Sequence, residues 1–277
     1  MSRKRDTTIS ARLVSVGTMS STLWSAGRYE AVAQQIAPIA EQVVATLDAK
    51  SGLAGSTVVD LACGTGSAAI AAARKGATVT ALDITPELVA LGEQKADAVG
   101  VSVDWRTGDA SDTGLPAGSF DAAVSNMGII FVEPGSQVAE LARLLKSGGV
   151  LAFSSWVRDS VNPFFDPIVA TLGAPPARGY SPDQWGDQAV AGQRLAADFD
   201  EVSFQLGKHP WRFESQAAAL AFVTDESPMH VDIFSRLDAD KSAALRTAFS
   251  DALETQTGAD GSVAFDASYV VVTARRR

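Results

Sequence analysis

Residues 58–70 read VVDLACGTGSAAI, and this stretch decides the fold of the chain. Its apolar start is typical of a strand, its glycines at 64 and 66 of a turn, and its alanine-rich end of a helix. Because glycine has no Cβ, the backbone can turn sharply there and approach a ligand closely. The stretch therefore predicts a nucleotide-binding type of loop, with the carboxylate of Asp60 held four residues before the first glycine.

Strand and helix patterns alternate on both sides of this loop. This alternation predicts right-handed βαβ units and a parallel sheet covered on both faces, with the ligand at the carboxyl ends of the strands. The predicted strands cover residues 56–62, 77–83, 101–109, 120–128 and 150–156, and the predicted helices cover residues 29–48, 67–76, 85–100 and 136–146, with Pro38 as a kink or break in the first helix.

The pattern changes after residue 156. The segment that follows is rich in proline, glycine and aromatic residues without clean periodicity, which is typical of an irregular cap over a site. Residues 200–213 and 262–277 alternate as strands, and residues 215–257 between them read mostly as helix. The two late strands are expected to extend the sheet, one of them antiparallel.

Composition restricts the classes of function. The 277 residues are 46% hydrophobic and 20% charged, which fits a globular protein, and a net charge of -9 argues against a nucleic-acid partner. No apolar run is long enough to span a membrane, and the single cysteine, Cys63, is compatible with a reducing cytosol. We therefore expect a cytoplasmic protein that acts on a small molecule, with no membrane insertion and no metal site; the oligomeric state is left open.

Three acidic residues follow three successive predicted strands. Asp83 can accept hydrogen bonds from both hydroxyls of a ribose, and Asp109 can accept one from the adenine amine, with the Ala110 N–H nearby for a ring nitrogen. Asp60, however, would repel a pyrophosphate resting on the loop. S-adenosylmethionine carries an adenosine and a cationic end but no phosphate, so these acids favour it as the cofactor.

Two alternatives remain at this point. Gly64, Gly66 and Ala69 also satisfy the loose dinucleotide pattern G-x-G-x-x-G/A, which permits an NAD(P)-dependent oxidoreductase. Asp60 and the lack of a Tyr-x-x-x-Lys pair argue against that class. The third hypothesis is a protein that binds S-adenosylmethionine without transferring its methyl group, as a ligand sensor or a non-methylating cyclase.

The chain resembles class I S-adenosylmethionine-dependent methyltransferases, in particular the type 11 group that includes ubiquinone and menaquinone biosynthesis enzymes. The resemblance rests on VVDLACGTGSAAI, ALDITPELV, GDASDTGLPAGSFDAAVSNMG and LARLLKSGGVLAFSSW, and covers about residues 55–156. It implies a Rossmann-like, doubly wound sheet of seven strands with the last strand antiparallel. It also implies a single domain over residues 1–277, with a helical lid (1–54), a cofactor-binding core (55–156) and a substrate cap with the final strands (157–277).

The resemblance assigns roles to individual residues. Asp60, Gly64 and Gly66 would border the methionine moiety, with Asn126 on the methyl side of the cleft. The residues predicted to bind the cofactor are, in full, Tyr29, Asp60, Ala62, Gly64, Gly66, Asp83, Ile84, Asp109, Ala110 and Asn126. Tyr29 is included as a lid contact, because related enzymes close an N-terminal aromatic segment over the cofactor.

The sequence is less specific about the residues that contact the methyl acceptor. His230 and His209 are the candidates for a general base, since histidine has a suitable pKa, and Trp156 is a candidate wall of the substrate pocket. A base is dispensable if the acceptor is itself acidic, such as a phenol. The aromatic content of residues 157–235 predicts a hydrophobic or aromatic small molecule, methylated by in-line displacement.

Overall fold

A seven-stranded sheet forms the centre of the fold in the computed structural model, which describes residues 21–174 and 179–277. The strands are β1 (Thr57–Leu61), β2 (Thr78–Asp83), β3 (Asp104–Thr107), β4 (Phe120–Asn126), β5 (Leu145–Trp156), β6 (Phe199–Phe213) and β7 (Val263–Arg276). They lie in the order β3-β2-β1-β4-β5-β7-β6. The first five pair parallel, and β7 is antiparallel to both β5 and β6. This confirms the predicted α/β, Rossmann-like sheet with an antiparallel last strand.

Helical elements cover both faces of the sheet. The α-helices are α1 (Ser21–Trp24), α2 (Tyr29–Ser51), α3 (Ser67–Arg74), α4 (Pro86–Ala98), α5 (Pro134–Leu144), α6 (Asp166–Leu172), α7 (Gln188–Leu195), α8 (Gln216–Ala221), α9 (Pro228–Ser235) and α10 (Ala239–Glu254). Asn126 of β4 reaches the Ile36 carbonyl of α2 on one face. On the other face, Phe153 packs edge-on against Trp185 of the 3₁₀ turn Pro182–Gly186. Within the described residues, no helix is long and apolar enough to cross a membrane.

Several predicted boundaries, and the break considered at Pro38, differ from the structure. The helix predicted over 136–146 ends at Leu144, because Leu145 already has extended backbone angles and pairs with Phe120 in the sheet. The third strand is shorter than 101–109 and covers Asp104–Thr107. Helix α2 also continues through Pro38 without ending there, since its apolar side, which includes Ile39 and Val43, is fully buried and holds the helix in place.

The last two strands extend beyond the rest of the sheet. β5 ends at Trp156, opposite Tyr269 of β7, whereas β6 and β7 continue to pair as far as Phe213 and Val263. The cap elements pack on this two-stranded extension through aromatic side chains; Phe164, for example, lies 5.0 Å from Phe265 between ring centroids. The extension and its cap therefore stand next to the C-terminal end of the parallel strands, where the site is expected.

Candidate active site

The site lies where the strand order reverses. The chain proceeds from β1 outward to β2 and β3, and then returns to place β4 on the other side of β1. A crevice forms at such a switch point because the connections that follow the two neighbouring parallel strands diverge from each other. Here Tyr29, Asp60 and Asn126 line a small cavity of about 10 Å³, together with Cys63 and Thr65 of the loop. The sequence predicted the first three of these residues to meet.

Asp60 is the unusual group in this cavity. Its side chain is fully buried, and neither carboxylate oxygen has a hydrogen-bond partner among the described residues. Burial raises the pKa of Asp60 well above its usual range; the Ala69 amide, outside hydrogen-bonding geometry, opposes this rise, and the carboxylate of Asp83 adds to it. Buried polar groups are normally satisfied, so this carboxylate is suited to a ligand that brings a donor or a positive charge.

The loop after β1 is held in place by the acid at the end of β2. Asp83 accepts a hydrogen bond from the Gly64 N–H at 2.8 Å and another from the Thr85 N–H at 2.9 Å. Each carboxylate oxygen keeps a second lone pair, so Asp83 can still accept from a ribose. Burial raises its pKa, and these amide hydrogen bonds oppose that rise.

Close packing explains the glycines of the loop. Gly64 has a φ of +56°, and a Cβ on it would lie 2.2 Å from the Tyr29 hydroxyl oxygen. Ala62 also adopts a left-handed conformation, with a φ of +52°. For a residue with a Cβ this costs about 1–2 kcal/mol, which the surrounding structure must offset. The predicted cofactor loop is thus tightly built against Tyr29.

The predicted adenine-binding residues lie at the next strand end. Asp109 accepts hydrogen bonds from the amide and the hydroxyl of Ser111, at 2.8 and 2.7 Å. Ala110 is buried, and its carbonyl accepts a 3.1 Å hydrogen bond from Nε2 of Gln137. Ile84 is partly buried and directly follows Asp83. Asp60, Asp83 and Asp109 therefore occupy the C-terminal ends of β1, β2 and β3, as predicted from their spacing.

Charged contacts at the start of α2 were not predicted. The carboxylate of Glu30 accepts hydrogen bonds from Thr65 of the loop and from Lys95 of α4, both at 2.9 Å. The neighbouring Arg28 forms an ion pair with Glu226 of the cap. No sequence motif marks these residues, because they come from four separate segments. Together they connect Tyr29 to the loop and to the cap.

The two histidines have different surroundings. His230 is bonded at both ring nitrogens, to the Ser227 hydroxyl at 2.7 Å and to the Phe164 carbonyl at 2.8 Å. His209 is buried in β6, and its Nε2 has no partner among the described residues. Trp156 lies beside it, with ring centroids 6.1 Å apart. Burial lowers the pKa of both histidines, so both favour the neutral form at pH 7.

Comparison with known proteins identifies the central part of the chain. Residues 59–153 match the family described as a methyltransferase domain. This segment is a class I methyltransferase domain of type 11. The predicted resemblance is therefore confirmed, and the cofactor of this class is S-adenosylmethionine.

Relatives share this domain but differ in what is known of them. An uncharacterised protein of Mycobacterium tuberculosis is 35% identical over 153 residues, which are 54% of this chain and 53% of the relative. A ubiquinone biosynthesis O-methyltransferase of Xanthomonas oryzae is 38% identical over 111 residues, 39% of this chain and 46% of the relative. The chain spans about half the length of the curated relatives it matches. The crystal structure of the MccD protein shares the fold, with a TM-score of 0.55 and 17% identity over 87% of this chain and 99% of that one.

The residues of the methyltransferase domain fit S-adenosylmethionine. The unpaired carboxylate of Asp60 suits a cationic end, Asp83 suits the ribose, and Asp109 keeps one carboxylate oxygen that no described hydrogen bond uses. In this conformation the cavity has room for about one water molecule. Within the described part of the chain, no group of three metal-ligating side chains is present.

Proposed function

We propose that this chain transfers a methyl group from S-adenosylmethionine to a small hydrophobic or aromatic acceptor. The observation that carries the proposal is the buried, unpaired carboxylate of Asp60 at the switch point, next to Asn126. A nicotinamide dinucleotide would bring a pyrophosphate to this carboxylate, which is unfavourable in a buried site. A sulfonium compound with an ammonium group has the complementary charge.

The protein's task in this reaction is mainly to position the two reactants. When bound, the sulfonium would supply an electrophilic methyl group for the acceptor lone pair, with the electrons of the S–CH₃ bond returning to sulfur. Asp83 and Asp109 would hold the adenosine, and Asp60 and Asn126 the amino-acid end. Holding two reactants in line contributes up to about 7–11 kcal/mol in favourable cases. The acceptor proton leaves to a nearby base or to water.

Calorimetric titration tests the cofactor. We expect S-adenosylmethionine and S-adenosylhomocysteine to bind and NADPH not to bind. Asp83→Asn should weaken both, because a neutral amide accepts ribose hydroxyls poorly and holds the Gly64 amide less well. Asp104→Asn is the matched control, since this carboxylate is exposed at the start of β3 and pairs only with Arg106 among the described contacts. Binding of NADPH alone would contradict the proposal and favour the oxidoreductase.

A second experiment separates transfer from mere binding. The protein is incubated with cofactor labelled in its methyl group and a panel of phenols, hydroquinones and amines. Labelled product that requires the folded protein supports a transferase. Binding of S-adenosylhomocysteine without labelled product from any acceptor would favour a sensor or a cyclase instead.

A further inference from the structure

His209 is a buried side chain with a ring nitrogen that has no hydrogen-bond partner among the described residues. Only 5% of its surface is exposed, and its Nε2 has no hydrogen-bond partner among the described residues. His230 provides an internal comparison, because both of its nitrogens are bonded within the cap. A buried polar atom without a partner destabilises the folded state, so an atom of this kind is suited to binding a ligand.

Aromatic rings surround this imidazole. The ring of Trp211 lies edge-on at 4.9 Å between centroids, and that of Trp156 lies at 6.1 Å. Phe164 packs against Trp211 from the cap at 5.2 Å. We call these four residues, Trp156, Phe164, His209 and Trp211, the aromatic cluster. Its apolar surface suits a flat hydrophobic molecule, and it contains the buried Nε2 of His209, which has no partner among the described residues.

The aromatic cluster adjoins the cofactor cleft. Asn126, which lines the cleft, accepts a 2.8 Å hydrogen bond from Ser154 of β5. Trp156 is two residues further along the same strand, on the same face and about 7 Å away. It is only partly buried, whereas Trp211 is buried, so the cluster is most accessible at Trp156. A ring held there would lie near Asn126, the residue predicted for the methyl side of the cleft.

We propose that the aromatic cluster binds the methyl acceptor, and that His209 recognises a hydroxyl group on a planar aromatic ring. This inference rests on the proposed function, which it deepens by naming the class of acceptor. Trp156 supplies a flat surface for the ring, and Nε2 of His209 pairs with the hydroxyl. A buried polar atom of this kind discriminates strongly against an analogue that lacks the hydroxyl, since the atom is then left unpaired again.

The neutral imidazole is consistent with this role. Burial lowers the pKa of His209, and Asp266 on the neighbouring strand opposes that effect. A neutral ring has one nitrogen that accepts, and it can receive the O–H of a phenol. If that hydroxyl is the nucleophile, its proton passes to this nitrogen as the new O–CH₃ bond forms.

The experiment compares 2-naphthol with naphthalene, which have the same ring system and differ by one hydroxyl group. Dissociation constants are measured by ligand-observed NMR on the full chain, with S-adenosylhomocysteine bound. We expect the wild-type protein to prefer 2-naphthol by about tenfold. In His209→Phe, which keeps an aromatic ring in place, naphthalene should still bind and the preference should disappear. Lys208→Gln, which changes the exposed neighbour of His209 on β6, should leave the preference unchanged.

Each outcome is decisive. Equal binding of the two compounds by the wild-type protein, or binding of neither, would overturn the proposal. A preference that survives His209→Phe, or one that Lys208→Gln abolishes equally, would also overturn it. Binding of S-adenosylhomocysteine is recorded separately, so a protein that binds it but shows no preference for 2-naphthol retains the proposed function and loses only the assignment of the acceptor.

Discussion

The hydroxyl of Thr65 in the glycine loop donates a 2.9 Å hydrogen bond to the carboxylate of Glu30 at the start of α2. Lys95 binds the same carboxylate and also donates to Thr65 at 3.1 Å. These hydrogen bonds therefore join three elements at one point: the glycine loop, the first turn of α2 and the helix α4. Because Tyr29 packs on Gly64 and lines the cavity, we expect this contact to control access to the cavity.

Loss of the Glu30 carboxylate should speed both entry and release of the cofactor. In Glu30→Gln we expect the association and dissociation rates of S-adenosylhomocysteine to rise by about three- to tenfold, which is about 1 kcal/mol in the barrier. Stopped-flow fluorescence measures both rates. Raised salt should produce part of the same effect in the wild-type protein. Lys75→Gln, which removes an ion pair with Asp48 at the other end of α2, is the control; equal rates in the two variants would contradict the prediction.

The buried carboxylates should make stability depend on pH in an unusual direction. Burial raises the pKa of Asp60 and Asp83, so the folded state binds more protons than the unfolded state above about pH 4. The free energy of unfolding should therefore fall as the pH rises from about 4 through the folded-state values. Asp121 affects stability in a separate, more acidic pH range, because its hydrogen bond with Lys146 lowers its pKa to about 2.

Thermal unfolding between about pH 5 and about pH 8 tests this. The stabilisation by S-adenosylhomocysteine should grow over the same range, since its ammonium group pairs with the ionised carboxylate. In Asp60→Asn, the Tm without ligand should depend less on pH than in the wild-type protein. S-adenosylhomocysteine should also raise the Tm of this variant by less. A wild-type Tm that rises steadily over this range, with a ligand effect independent of pH, would show that these carboxylates ionise freely.

Two glycine-to-alanine substitutions should have opposite effects. A Cβ on Gly128, which follows β4, would lie 2.3 Å from the Ala62 carbonyl oxygen, so Gly128→Ala should destabilise the protein by about 1–3 kcal/mol and weaken S-adenosylhomocysteine binding. Gly192 lies inside α7, and beyond its chain neighbours and the backbone of its own helix no atom lies within 4 Å of its Cβ position, so Gly192→Ala should stabilise the protein by about 0.5–1 kcal/mol. Urea denaturation measures the free energy of unfolding of both variants. Changes of the same sign in the two variants would contradict this prediction.

Gln137 should position the adenine-binding segment. It is fully buried on α5 and donates to the Ala110 carbonyl, which orients the next peptide groups of that loop. We expect Gln137→Met to reduce the preference for S-adenosylhomocysteine over its inosine analogue by about tenfold, since the exocyclic amine is then recognised less well. Calorimetry gives both affinities.

The control for Gln137 is Thr113→Val. Thr113 fixes the same loop further along, through its hydroxyl and amide to Glu140. This variant should lower the Tm without changing the ratio of the two affinities. An equal loss of discrimination in both variants would show that Gln137 contributes only general loop stability.

The sequence by itself determined the parallel sheet, the glycine loop and the acids after the first three strands. These features depend on local patterns: alternation of strand and helix signals places residues such as Asp60 and Asp83 at strand ends, and parallel pairing brings those ends to one edge. The sequence determined the boundaries of the segments less well. Leu145, for example, could end a helix or begin a strand, and only its pairing with Phe120 in the sheet shows that it begins a strand.

Only the tertiary structure decided which polar groups are satisfied. Glu30, Thr65 and Lys95 meet although they lie on three separate elements, and no local pattern encodes such a contact. The two histidines look equivalent in the sequence, yet His230 is bonded at both nitrogens and His209 is not. Hydrogen bonding and burial depend on every neighbour in space, and the neighbours of a cap residue come from distant parts of the chain.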